Sequence, residues 1–138
     1  MNTLLVNGRV LGEHGPRDGL AVLVAQGRIR AITHADDACV ADATTHDMQG
    51  RLLLPGFIDV QVNGGGGLLF NATPNVATLE GIAVAHRRFG TTGLLPTLIT
   101  DTADVMREAL HAVDAAIAQG IPGILGIHLE GPYLAPAR

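Results

Sequence analysis

LLPGFIDVQV, residues Leu53 to Val62, is a nearly continuous apolar run broken by Pro55-Gly56. That is the pattern of a strand buried on both faces of a parallel sheet. Asn75 to Phe89 reads as the helix that follows it. Val76, Leu79, Ile82 or Ala83, His86 and Phe89 recur at spacings of three and four, and Gly90 stands where a helix commonly ends. GLLPTLIT, Gly93 to Thr100, is a second strand. Asp101 then offers an N-cap with Asp104 three residues on, and Met106, Ala109 or Leu110, Val113 and Ile117 form a second apolar stripe before Gly120. A third strand runs from Gly123 to Leu129, led in by Pro122 and closed by Gly131-Pro132. Two βα units and a third strand imply parallel strands joined by right-handed crossovers.

Upstream of Leu53 the pattern is different. Leu4 to Val6, Leu20 to Ala25, Arg28 to Ile32 and a stretch ending at Met48 read as short strands, punctuated by Gly8, Gly12, Gly15, Pro16, Gly19 and Gly27. Val24 to Ile29 has the look of a hairpin, and the stretch from His34 to Thr45 reads as a surface loop carrying no chemistry. The expected division is 1–52 for this part of the chain and 53–138 for the βα units.

The whole sequence has 138 residues, 47% apolar and 16% charged, so it can bury a core. Nine arginines, no lysine and thirteen acidic residues give a net charge of -4 without a run of like charge, which speaks against nucleic-acid binding. No apolar stretch approaches the ~20 residues that span a bilayer. The opening MNTLLVNGR is too short in apolar residues for a secretory signal, and the single cysteine, Cys39, cannot form an internal disulfide; the expectation is a cytoplasmic protein. The chain stops shortly after Glu130, where a third crossover helix is due. A (β/α)8 barrel needs ~250 residues, so at most three of its eight strands fit here.

Alternation along a strand puts Asp59, Gln61 and Asn63 on one face of the first βα strand, at its C-terminal end, where barrels carry their active sites. Gln61 and Asn63 either line a site or simply begin a polar loop. Gly64, Gly65, Gly66 and Gly67 either admit a ligand close to the backbone or form a flexible connector; no Gly-Lys-Ser/Thr follows, so they are not a P-loop. His86, inside a helical stripe, reads as a packed, hydrogen-bonded histidine. By the same parity His128 and Glu130 share a face of the third strand. Glu130 there is open to three roles: metal ligand, general base, or structural partner of an amide or arginine.

LLPGFIDVQVNGGGG (Leu53 to Gly67), GTTGLLPTLIT (Gly90 to Thr100) and GIHLEGPYL (Gly126 to Leu134) together resemble the N-acetylglucosamine-6-phosphate deacetylases, a family of the amidohydrolase superfamily. PGFID alone is general to amidohydrolases; HLEGP together with PTLIT is far more specific. The resemblance implies an α/β fold: the N-terminal part of a (β/α)8 metal-dependent hydrolase barrel, its first three parallel strands, preceded by short strands of a small β-sandwich. It implies hydrolysis of the acetamide of N-acetylglucosamine 6-phosphate to glucosamine 6-phosphate and acetate. Many amidohydrolases place His-x-His where this chain has Gln61-Val62-Asn63. Neutral amide oxygens replace imidazole poorly on zinc, so the resemblance points to a branch with one divalent metal, expected to be zinc.

By that resemblance Glu130 holds the metal, and Gln61, Asn63, Gly64, Gly65 and His128 line the site, His128 as a packed strand residue or a support behind it. The remaining ligands, two histidines, and the aspartate general base fall beyond Arg138. The chain alone is therefore expected to be inactive, and the full-length enzyme to act on a small amino-sugar phosphate as a homodimer. Two alternatives stay open: another amidohydrolase acting on a cyclic amide or an N-acyl amino acid, or a non-catalytic fragment that assembles through an open strand edge.

Overall fold

The computed structural model describes residues 2–37 and 42–133, which form two compact units, Met1–Pro55 and Gly56–Arg138. Cys39 and part of the expected His34 to Thr45 loop lie outside the described residues.

The first unit is one five-stranded sheet of β1 (Asn2–Gly12), β2 (Gly15–Ala25), β3 (Arg28–His34), β4 (Ala43–Asp47) and β5 (Leu52–Leu53), with a 3-10 turn at Ala35–Asp37. The order is β3-β2-β1-β4. β1 to β3 form an antiparallel meander, and β4 and β5 follow one another in parallel along the free edge of β1. The expected hairpin is present: Gln26 and Gly27 both take positive φ, 53° and 71°, as a two-residue type I′ turn requires. Val10, Leu20 and Val22 form a small core. Leu5, Val10, Val22, Val24, Ile29 and Ile32 line an apolar groove of about 320 Å³ on one face of the sheet. Among the described residues this unit holds this one sheet. The boundary falls after Pro55 rather than after residue 52, because Leu52 and Leu53 pair with Arg9 and Val10.

The second unit holds β6 (Phe57–Val62), the short pair β7 (Gly64–Gly65) and β8 (Leu68–Leu69), α1 (Val76–Arg87), β9 (Thr91–Ile99), α2 (Ala103–Ala118) and β10 (His128–Glu130). β6, β9 and β10 make a parallel sheet in the order β10-β9-β6. Leu94 and Leu98 of β9 pack with Leu79, Ile82 and Ala83 of α1 and with Ala109, Ala112, Val113 and Ala116 of α2. At ~25 cal/mol per Å² such burial is the main term favouring this unit.

Three expectations need correction. β6 is not buried on both faces: Phe57, Ile58 and Val60 are 60%, 66% and 61% exposed, and only Val62 enters the core. The physical reason is position, since β6 is an edge strand and both helices pack around β9. The apolar face of α2 is alanine-rich, and Leu110 and Ile117 are exposed; small side chains let the helix sit close to its neighbours. The helix N-cap is Thr102, whose hydroxyl accepts from the Val105 N–H, and Asp101 is engaged elsewhere.

The third strand is also shorter than Gly123 to Leu129. Leu94 exchanges backbone bonds with Gly123 and Leu125, and by the two-residue period Pro96 turns the same edge to the incoming chain. Proline has no N–H to give. Pairing therefore lapses after the Leu94–Ile124 bridge, shifts by one residue, and resumes only at His128–Thr97.

Candidate active-site rim

Because β6, β9 and β10 run parallel, their C-terminal ends lie on one side of the sheet, carrying Gln61 and Asn63, Thr100 and Asp101, and Glu130 respectively. This is the end at which barrel enzymes of this architecture place chemistry.

Between the Asp59–Leu94 and Val62–Pro96 pairs β6 advances three residues while β9 advances two, so the ladder is irregular over Val60 and Gln61. Side chains hold the backbone there instead. The Val62 N–H donates to Thr97 Oγ1 at 2.9 Å, in the core, and the fully buried Thr97 hydroxyl has its own acceptor in the Leu95 carbonyl at 3.4 Å. His128 Nδ1 lies 2.9 Å from the Val60 carbonyl, and His86 Nε2 lies 3.0 Å from the Gly64 carbonyl. Asp59 is satisfied locally by the Gln61 N–H at 3.1 Å. Gln61 is exposed and Asn63 half-buried, with the Asn63 carbonyl accepting from the Phe70 N–H.

The glycine quartet is a hairpin. Gly64 pairs with Leu69 and Gly65 with Leu68, and Gly66 and Gly67 at φ 62° and 82° make its type I′ turn. A Cβ on Gly64 would run into the Leu68 carbonyl oxygen, and one on Gly65 would lie 2.8 Å from the His86 ring. The four glycines are used by packing and turn geometry, which a flexible connector would not require.

At the end of β9 the Asn71 side chain acts as a stand-in strand. Its Oδ1 accepts from the Ile99 N–H and its Nδ2 donates to the Ile99 carbonyl, both at 2.9 Å, with a further donation to Asp101 Oδ2 at 3.1 Å. Asp101 is held below the usual carboxylate range, first by the Thr102 N–H at 2.8 Å and then by the Asn71 amide, with desolvation working the other way. Thr100 Oγ1 donates to the Glu130 carbonyl at 2.5 Å, tying β9 to the tip of β10.

Glu130 ends its strand at the rim as expected, but its side chain is exposed rather than facing a closed interior. Among the described residues no three His, Cys, Asp or Glu side chains come together as a metal site. One carboxylate at a strand tip fits a single ligand position and does not complete a site. Thr97 and Asn71 were not picked out from sequence. A threonine inside the apolar PTLIT strand was a visible signal for the first; nothing local marks the second, whose partner is 28 residues away.

No protein-family model matches the chain. Over 137 residues it is 44% identical to the N-acetylgalactosamine-6-phosphate deacetylase of Shewanella sp. (strain ANA-3), an alignment that takes in 98% of this chain and 35% of the relative. The crystal structure of N-acetylglucosamine-6-phosphate deacetylase from Pasteurella multocida superposes on 99% of this chain with a TM-score of 0.92 and 34% identity, covering 36% of that chain. The chain is similar over nearly its whole length to part of the N-acetylglucosamine-6-phosphate deacetylase family. The enzyme of that name from Haemophilus influenzae is 40% identical over 91 residues, 66% of this chain and 24% of the relative. The chain spans about a third of the length of the curated deacetylase it matches from end to end. Its mixed α/β fold is that of the family's solved structures. No described helix is long and apolar enough to cross a membrane.

Proposed function

We propose that this chain contributes the opening strands of a metal-dependent deacetylase that hydrolyses the acetamide of an N-acetylhexosamine 6-phosphate to the free amino sugar and acetate. The observation that carries the reading is the 44% identity over 98% of the chain, together with a rim that places Gln61, Asn63 and Glu130 on one end of three parallel strands. N-acetylglucosamine 6-phosphate is the first substrate to test. The galactosamine epimer is the second, because the Shewanella relative carries that name.

In this reading β6, β9 and β10 are the first three strands of a (β/α)8 barrel, and the apolar groove of the first unit is the inner face of a small sandwich. Glu130 is one ligand of a single divalent cation, zinc by the family resemblance alone, which would supply Lewis-acid activation of water and of the scissile carbonyl. The residues of this chain orient and enclose: Thr100 fixes the Glu130 backbone, and Gln61 and Asn63 face the sugar. The other ligands and the general base are supplied from outside these 138 residues, so the chain alone does not turn over substrate. A cytoplasmic location is supported by the single cysteine, and a homodimer by the family resemblance alone.

The test is a chimera in which this chain replaces the segment of the Shewanella relative that it matches. Acetate release from either hexosamine 6-phosphate supports the reading. A folded chimera inert on both sugars contradicts it.

A further inference from the structure

The segment Val60 to Gly64 carries both rim amides, and the β6–β9 ladder is irregular over its first two residues, Val60 and Gln61. Three side chains from three different elements bond the backbone along it: His128 on β10 at the Val60 carbonyl, Thr97 on β9 at the Val62 N–H, and His86 on α1 at the Gly64 carbonyl. The contacts fall at alternate residues, on either side of Gln61 and Asn63. Gly65 leaves room for the His86 ring, since any Cβ there would strike it.

We propose that His86, Thr97 and His128 are positioning residues that set the direction of Gln61 and Asn63, and that the two histidines do so as opposite neutral tautomers. The second half follows from elementary chemistry. A carbonyl oxygen only accepts, so the ring nitrogen facing it must carry the proton. His128 must be the Nδ1–H form and His86 the Nε2–H form. Free histidine favours Nε2–H, so His128 is held in the form that solution disfavours.

The positioning role rests on the reading of Gln61 and Asn63 as residues that face substrate; the tautomers do not. The first experiment is long-range proton–nitrogen correlation on the labelled 138-residue chain at about pH 8. Nδ1–H at His128 with Nε2–H at His86 is the expected result. Nε2–H at His128, averaged tautomers at both, or a wild-type chain with only unfolded signals overturns the inference. The second experiment uses side chains that mimic one ring nitrogen each: the amide nitrogen of asparagine stands near Nδ1, and that of glutamine near Nε2. His128→Asn should keep the exchange protection of the Val62 amide, and His128→Gln should lower it about tenfold, as loss of one hydrogen bond implies. If His128→Gln fails to fold, the pair Thr97→Ser and Thr97→Val asks the same question at the Val62 amide. Equal protection in both members of a pair overturns the cradle.

The chimera supplies the functional arm. His128→Gln should raise KM about tenfold with a smaller change in kcat, and His128→Asn should restore it, because the loss is of substrate orientation. An unchanged KM with the expected tautomers overturns the positioning role. A wild-type chimera without activity is a failure of the deacetylase reading instead, and the tautomers still report on the cradle.

Discussion

The glycine quartet Gly64 to Gly67 gives the sharpest graded test of the structure, because each position should respond to alanine for a different reason. At Gly64 the added Cβ meets the Leu68 backbone oxygen, with Leu69 Cα at 3.1 Å. Backbone cannot swing aside as a side chain can, so the β7–β8 pair must open. Losing its two hydrogen bonds and leaving their groups strained costs roughly 2–4 kcal/mol. At Gly65 the His86 ring must leave the Gly64 carbonyl, at about 1–2 kcal/mol. Gly66 and Gly67 have positive φ, which costs alanine about 1–2 kcal/mol. Gly66 also meets Ala85 Cβ at 3.1 Å, whereas Gly67 has open space. Alanine stiffens the unfolded chain everywhere, offsetting about 0.4–1 kcal/mol. The expected order of destabilisation is Gly64 first and Gly67 last, the latter a net loss of about 0.5–1 kcal/mol. Urea unfolding followed by circular dichroism resolves this. With a slope of about 1.5 kcal/mol per molar, the midpoint should fall by roughly 1.5 M for Gly64→Ala and by about 0.5 M for Gly67→Ala. Four equal midpoints, or midpoints above wild type, would mean the quartet is a slack connector and the hairpin geometry is wrong.

Other outcomes follow from the same contacts. Asp101 has a depressed pKa in the folded chain, so its contribution to stability is present above the ordinary aspartate value and is lost as pH falls through the lower folded value. Asn71→Ala should move the Asp101 carboxyl carbon titration upward toward ordinary aspartate; an unmoved midpoint refutes the Asn71 clamp. Ile82→Ala, at a fully buried position between the helices and β9, should cost about 2–5 kcal/mol, against less than about 0.5 kcal/mol for a truncation at the exposed Glu108, and denaturant midpoints decide the difference. Purified 138-residue chain should release no acetate from N-acetylglucosamine 6-phosphate; turnover would show that the site is complete without other segments. With Phe57, Ile58 and Val60 exposed on an edge strand, that chain should also self-associate, and Val60→Lys should shift its sedimentation toward monomer.

Much of the second unit was legible because periodicity and punctuation agree there. The stripe from Val76 to His86 in α1 and the GLLPTLIT strand each carry a local signal, as does the Gln26-Gly27 turn in the first unit, whereas Phe89, expected on the same stripe, falls past the end of α1 and is exposed. What could not be read locally depends on neighbours. The run from Phe57 to Val62 has a buried strand's composition, yet burial is decided by what packs beside it, and among the described residues β6 has a partner on one side only. Asp101 looks like a cap, but the Asn71 amide, far away in sequence, claims its carboxylate and leaves the cap to Thr102. The lapse in the third strand was in principle readable, since Pro96 sits in the middle of the strand it must pair with. At the rim, Glu130 and the two amides stand out by parity, while Thr100 and Asn71 act on the Glu130 and Ile99 backbone through contacts that leave no pattern in the sequence.

The proposed function stands or falls on Glu130 as a metal ligand. The direct measurement is metal content of the purified chimera by elemental analysis, before and after Glu130→Gln, with circular dichroism confirming the fold of both. The account predicts close to one divalent ion per chain, lost on substitution together with acetate release. Full metal occupancy in the folded Glu130→Gln protein would contradict it.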